Sequence, residues 1–390
     1  MADRSKIVEL HKEMTDWRRD LHAHPETAFE EHRTSDFIAG KLEEFGIEVV
    51  RGLAGTGLVG VLKSNGRSGK AIGLRADMDA LHIDEQTNLP YSSKTPGKMH
   101  ACGHDGHVTM LLGAAKYLSK TRDFDGTAYF IFQPAEENEG GAKVMVEEGL
   151  FEKFQMDSVY GMHNWPGMPI GQIGTRPGPV MAAFDIFEIK ITGKGSHAAM
   201  PHQSIDAVVI ACMVVSSLQT VASRVVDTRD PVVVSVTQIH AGDTWNVIPE
   251  EAVIRGTVRT FNAKVQDLSE ETIRKIVKGV CAAHGAECDI RYERRYPPTI
   301  NTEQETVNTA KVAEKLVGAE NVRKDMRVCM GSEDFAYMLQ KRPGSYIWLG
   351  AGDCGGNLHN PNYDFNDEIL PLGASYWAEL VEDLLPESVN

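Results

Sequence analysis

Eight consecutive residues, His100-Ala101-Cys102-Gly103-His104-Asp105-Gly106-His107, place a thiol, three imidazoles and a carboxylate directly ahead of an apolar helical stretch over 108–118. A metal ion needs deprotonated soft or borderline donors on a rigid backbone, and a glycine-punctuated turn opening a helix supplies both. Matching donors lie far along the chain, each just past an apolar, strand-like run. Glu136 and Glu137 follow 127–132, His163 follows 158–162, and Asp77 follows 71–74. His359 lies in the loop Gly355-Gly356-Asn357-Leu358-His359-Asn360 after the run 345–349. In an open α/β sheet the crevice beyond the carboxyl ends of the strands binds ligands, because loops converge there while the sheet itself is packed. The fold must therefore bring residues near 100, 137, 163 and 359 to one edge.

Each donor alone has a blander reading. Paired glutamates are usually solvated surface, and single histidines are more often ordinary polar residues than ligands. Their joint placement at strand ends reverses those odds. His11, His32, His82, His240 and His284 have no such company and read as structural or surface residues.

Between the early donors and His359 the pattern changes. Phe184–Thr192 alternates as a half-buried strand, 204–222 reads as a helix, and strands at 231–239 and 251–260 follow. A helix over 267–283, with Asp267 and Glu270 as a capping signal, precedes a strand at 287–294. The order β-α-β-β-α-β is that of a ferredoxin-like sandwich of about 110 residues. Both flanks read as α/β, so the small module looks inserted. The division expected is 1–182 and 298–390 for the donor-bearing domain and 183–297 for the insertion. Pro177-Gly178-Pro179 and Pro297-Pro298 are the plausible hinges.

Charge narrows the partners. Forty basic against fifty-five acidic residues leave a net charge of −15, which disfavours nucleic acid and anionic membrane. The polar start Met1-Ala2-Asp3-Arg4-Ser5-Lys6 does not read as a signal peptide, and no apolar run reads as long enough to span a bilayer. The six cysteines, Cys102, Cys212, Cys281, Cys288, Cys329 and Cys354, lack a disulfide framework, so a reducing cytoplasm is expected.

The motifs run nearly end to end: Trp17-Arg18-Arg19-Asp20-Leu21-His22 with Pro25-Glu26, Leu74-Arg75-Ala76-Asp77-Met78-Asp79, the cluster around Cys102, Gln133-Pro134-Ala135-Glu136-Glu137, Gly161-Met162-His163-Asn164-Trp165, Gly193-Lys194-Gly195-Ser196-His197, Asn246-Val247-Ile248-Pro249 and Gly331-Ser332-Glu333-Asp334-Phe335. In this set the chain resembles the hippurate hydrolases, auxin-conjugate hydrolases and N-acyl-amino-acid amidohydrolases of the di-metal aminoacylase and carboxypeptidase superfamily. The resemblance implies a di-metal peptidase-like catalytic domain with the inserted βαββαβ module as lid and dimerisation domain. It also implies that Cys102, His104, Glu137, His163 and His359 hold two divalent ions. The wider superfamily has a ligand in an early His-x-Asp element, where this chain has Arg75-Ala76-Asp77. His104 takes over that imidazole, and Cys102 replaces a bridging aspartate. Thiolate plus imidazole favours zinc, with manganese, cobalt or nickel also used in such proteins. Asp77 is left to orient a ligand.

Amide hydrolysis needs an activated water, a polarised carbonyl and a proton for the departing amine. By resemblance Glu136 is not a ligand, and it would move that proton. On the inserted module, His197 would donate to the acyl oxygen, and the resemblance implies that Asn246 and Arg259 bind substrate. A guanidinium such as that of Arg259 suits an α-carboxylate because it bonds bidentately; its blander reading is a surface ion pair. His100 and His107 could serve either ligands or substrate. These groups stand on a module apart from the metal donors, so closure or a partner subunit must complete the site, and a homodimer or larger homo-oligomer is expected. The resulting reading is cleavage of N-acyl amino acids. A dipeptidase, an N-acetyl-diaminopimelate deacetylase and a non-catalytic binding descendant are the alternatives.

Overall fold

Strand Ala71–Asp77 (β1) is buried at every position, which requires a sheet covered on both faces. In the computed structural model, which describes residues 4–64, 66 and 68–387, β1 lies between Thr127–Gln133 (β2) and Ser158–Pro166 (β3) and runs parallel to both. The strand Gly344–Gly352 adds a fourth parallel member beyond β3. Antiparallel strands Glu48–Leu53 and Gly57–Lys63 close one side of this eight-stranded sheet, and the short strands Ile173–Gly174 and Val322–Arg323 close the other. The residues Met1–Asp3, on which the reading of no signal peptide partly rests, lie outside the described residues.

Two helices matter for the site, His11–Ala23 (α1) and His104–Thr121 (α2). Except near its C-terminal end α2 is buried, as expected of a core helix with apolar residues on every face. Met110, Leu111, Ala114 and Leu118 of α2 share one core with Met14, Trp17 and Leu21 of α1 and with Trp377, Leu380 and Val381 of the helix Leu370–Leu384. Each such large apolar side chain contributes about 1.5–3 kcal/mol by leaving water. Gly103 starts α2 at φ 91°, and a Cβ there would lie 2.4 Å from the Asn164 Oδ1 atom. Only glycine fits that turn.

The described residues within 1–180, 300–327 and 334–390 form one compact unit, and those within 181–299 and 328–333 form a second. Segment 328–333 therefore departs from the division read at 298. It joins the second unit because Ala182 N donates to the carbonyls of Cys329 and Gly331.

The second unit follows the β-α-β-β-α-β order. Its strands Phe184–Thr192 (β4), Val232–His240 (β5), Glu251–Thr260 (β6) and Glu287–Tyr296 (β7) pair antiparallel in the order β5-β6-β4-β7. Phe187, Ile189 and Ile191 of β4 and Ala252, Ile254 and Val258 of β6 pack on helices Ala207–Leu218 (α3) and Ala263–Ala283 (α4). The alternate residues, among them Arg255, Thr257 and Arg259, face the other side of the sheet.

Two sequence readings need correction. Helix α4 begins at Ala263 rather than Asp267, because Asn262 Oδ1 accepts from Val265 N and caps it there; Asp267 instead pairs with Arg294 at 2.7 Å. The stretch Ala207–Val225, 19 residues, is long and apolar enough to cross a membrane, contrary to the reading that no run is. Its Ala207, Ile210, Ala211, Val214, Leu218 and Val221 pack into the small unit's core.

Gly106 in the first turn of α2 supplies a test of this packing. A Cβ there would lie 2.1 Å from the Phe365 ring. Gly→Ala inside a helix ordinarily stabilises by about 1 kcal/mol, but Gly106→Ala is expected to destabilise by about 1–3 kcal/mol through overpacking. Urea denaturation of the purified variant reads the sign.

Candidate metal centre

The turn that opens α2, the turn after β2, strand β3 and the loop after Gly344–Gly352 supply the donors. Cys102 Sγ, His104 and His163 place one ligand atom each within 4.8 Å of one another, and so do Cys102, Glu137 and His359. Cys102 belongs to both groups, with its Sγ 3.3 Å from His163 Nε2. His359 Nε2 lies 3.1 Å from Glu137 Oε1. His104, Glu136 and Glu137 form a further group at the same spacing, and Glu136 is buried.

Hydrogen bonds aim the two buried imidazoles inward. His104 Nδ1 donates to the Asp79 carbonyl at 2.9 Å, and His163 Nδ1 donates to the Asn164 carbonyl at 2.6 Å. A carbonyl oxygen only accepts, so Nδ1 carries the proton and each Nε2 lone pair is left for a cation. His104 Nε2 is buried with no hydrogen-bond partner among the described residues, and Glu137 Oε1 faces His359 Nε2 at 3.1 Å. Buried polar atoms are otherwise almost always satisfied, and an unsatisfied imidazole nitrogen facing this cluster fits a cation that supplies the missing interaction.

Electrostatics point the same way. Burial, with Glu137, Glu136 and Asp77 adding to it, pushes the Cys102 thiol well up. Burial lowers His104, but Asp77, Asp79 and Glu137 outweigh it and raise the imidazole to about 10. Burial, with His107 next, drives His163 well down. A divalent cation reverses the cost of this crowding by pairing with the carboxylates and the thiolate together. The donors fit such an ion.

The structure also reveals residues the motifs did not single out. Asp77, read as orienting a ligand, accepts from His107 Nδ1 at 2.6 Å and from Arg75, and approaches His104 Nε2 only at 3.6 Å. Asp79 is the carboxylate that contacts two candidate donors: besides holding His104, it accepts from Glu137 N at 2.9 Å. Asp79 lies two residues beyond Asp77, but nothing in the pattern ranks one over the other. His107 bridges Asp77 and Asn164 and is buried, which removes it as a substrate contact. His100 is likewise buried. Glu31 accepts from Ala135 N at 3.0 Å and so holds the turn, with Ala135 at φ 54°, that presents Glu136 and Glu137.

His197 and Asn246 meet within the second unit. His197 pairs with Val247 in a short ladder, and Ala198 N donates to the Asn246 carbonyl at 2.9 Å. Ala199 N donates to His197 Nδ1 at 3.1 Å, so the exposed ring carries its proton on Nε2 as a donor. Arg259 lines a cavity of about 500 Å³ on the open face of the small sheet. Its guanidinium lies 4.1 Å from the Phe184 ring centroid and has no carboxylate at ion-pair distance among the described residues.

The sequence profile of peptidase family M20/M25/M40 matches residues 73–383. The chain is 42% identical over 375 residues to the hippurate hydrolase of Campylobacter jejuni, covering 96% of this chain and 97% of that one. It is 40% identical over 382 residues to the N-acetylcysteine deacetylase of Bacillus subtilis, covering 97% and 98%. A crystal structure from Bacillus subtilis, described as a dinuclear metal binding peptidase of the M20 family, superposes with a TM-score of 0.85 at 37% identity, covering 97% and 99%.

His22 on α1 sits beneath the first turn of α2. Its Nδ1 donates to Asp105 Oδ2 at 2.8 Å and its Nε2 points at Glu85 Oε1, 3.3 Å away. Burial opposes the charge, but the bonds to Asp105 and Glu85 raise the pKa from 6.5 to about 9. A raised pKa stabilises the fold fully below the unfolded value and loses that contribution as pH rises through the folded value. His22→Gln is therefore expected to cost on the order of 3 kcal/mol below pH 6.5, with the penalty shrinking between pH 6.5 and 9. Denaturation midpoints of both proteins across that range check it, and a penalty that grows with pH contradicts it.

Proposed function

This chain belongs to peptidase family M20/M25/M40, and on that premise we propose that it hydrolyses the amide bond of N-acyl amino acids to a carboxylic acid and a free amino acid. It is a metal-dependent amidohydrolase. The observation that carries the substrate reading is the pair of donor groups sharing Cys102, with Glu136 alongside, in a chain matched along nearly its whole length by relatives named for N-acyl amino acid hydrolysis.

Cys102, His104 and His163 would hold one ion, and Cys102, Glu137 and His359 the other. Two divalent ions held there would supply a lowered pKa for a bound water and polarisation of the acyl carbonyl. Zinc is the ion proposed, from the thiolate and imidazole set. The Glu136 carboxylate takes the proton of the attacking water and returns it to the amine nitrogen as the C–N bond breaks. His197, with its proton on Nε2, donates to the oxygen that gains charge at the acyl carbon. Asn246 and Arg259 bind the substrate, the guanidinium pairing with its α-carboxylate; that no carboxylate among the described residues pairs with Arg259 supports that role.

The 183–297 module is proposed to act as lid and as dimer surface. Val208, Val209 and Met213 of α3 and Ile239 of the edge strand β5 are exposed, and a second copy of the chain would cover them. A reducing cytoplasm is the proposed compartment, consistent with six free cysteines.

Glu136→Gln is expected to retain its metal while turnover of N-benzoylglycine falls by about 10²-fold or more; metal analysis beside an amine-release assay reads both. A panel of N-benzoyl, N-acetyl and indole-acetyl amino acids, a dipeptide and N-acetyl-diaminopimelate, at equal metal loading, tests the substrate class. Preference for either of the last two overturns it. Sedimentation velocity is expected to give a dimer that Val209→Glu weakens, and an unshifted monomer removes the proposed partner.

A further inference from the structure

His359 differs from the other donors in its support. Residues 353–366 contain no helix or strand, His359 itself sits at φ 65°, and its side chain is 52% exposed. One backbone bond, His359 N to the Ala101 carbonyl at 2.8 Å, ties it to the Cys102 turn. An irregular segment in a strained conformation keeps its place only when its surroundings over-determine it.

The far end of that segment is gripped by one buried cation. Arg18 of α1 is fully buried. Its Nε and Nη2 bond both oxygens of Asp367, at 2.6 and 3.0 Å, while Nη1 bonds Asp364 Oδ1 at 3.0 Å. Tyr91 donates to the second oxygen of Asp364 at 2.6 Å, and the guanidinium lies over the Tyr91 ring, 4.7 Å from its centroid. Arg18 Nη1 is also 3.7 Å from Asp105 Oδ2, next to His104. A planar fork can satisfy two aspartates and stack on a ring at once; an ammonium cannot. By contrast His104 and His163 each donate to a backbone carbonyl, that of Asp79 and that of Asn164, which Arg18 does not bond.

We infer that Arg18 is a positioning residue for the metal centre: by clamping Asp364 and Asp367 it keeps His359 within coordinating reach, so that the ion served by Cys102, Glu137 and His359 depends on Arg18 and the ion served by Cys102, His104 and His163 does not. This rests on the two-ion reading given above. The two residue sets make the dependence asymmetric. General loss of stability would weaken both ions alike.

The test compares zinc stoichiometry and stepwise dissociation constants, by metal analysis and competition with a chromophoric chelator, for the full-length wild type, Arg18→Lys and Tyr91→Phe. The wild type is expected to bind two ions. Arg18→Lys is expected to hold one with unchanged affinity and the other about 10–100-fold more weakly, the cost typical of removing a group that orients a ligand. Tyr91→Phe, which removes one hydroxyl from Asp364, is expected to weaken the same ion by less. A wild type that binds fewer than two ions overturns the two-ion reading. A wild type that binds two, with Arg18→Lys unchanged or losing both in parallel, overturns the role of Arg18. If Arg18→Lys fails to fold, Tyr91→Phe decides: weakening confined to one ion supports the clamp, and unchanged constants overturn it.

Discussion

Crowding of anionic and electron-rich groups in a water-poor cleft is the condition the larger unit is built around. Asp77, Asp79, Glu136, Glu137 and the Cys102 thiol gather near the ends of the parallel strands, and burial pushes the thiol well up. Protons relieve part of the conflict, with His104 drawn far up and His163 far down within a few ångströms of each other. A pair of divalent cations would relieve it more completely, because one added charge interacts with several donors at short range. The fully buried parallel strands are what make the crowding possible, since they carry polar residues to one edge while their apolar faces are packed.

Around that centre the hydrogen bonds form layers that leave little freedom to the inner groups. Asp79 holds the ring of His104 and the backbone of Glu137, and His107 joins Asp77 to Asn164, whose amide in turn donates to Tyr363. Arg75 and Gln133 bond Asp334 behind them. Two residues that bear directly on the donors, Ala135 and His359, stand at positive φ, a conformation costing of order 1–3 kcal/mol for residues other than glycine. Glu31 holds the first and the Arg18 clamp the second, so the strain is carried by the elements packed behind the site. Catalysis in such a site depends on groups already aimed before substrate arrives.

Much of this was legible in the chain itself. The thiol and imidazoles around Cys102 advertised a metal, the apolar runs ahead of Asp77, Glu136 and His163 marked strand ends, and period-two alternation in Phe184–Thr192 marked a half-buried strand. Boundaries were less legible: Asn262 competes with Asp267 as a cap, and only the ion pair of Asp267 with Arg294 reveals why the later residue is free for another task. The stretch after Asp206 is legible as a helix, but that its apolar residues are spent on the small unit's core only the packing reveals.

Local chemistry and periodicity are enough to propose candidate donors and to give the order of strands and helices, because ligand type and hydrophobic repeat are properties of neighbouring residues. Which nitrogen faces the centre, that Asp79 rather than Asp77 holds His104, and that Arg18 grips Asp367 across 349 positions of chain were decided only by the tertiary structure. Those choices depend on distances and angles between segments remote in sequence, and hydrogen bonds and ion pairs act over a few ångströms, a range in which the linear order carries no information.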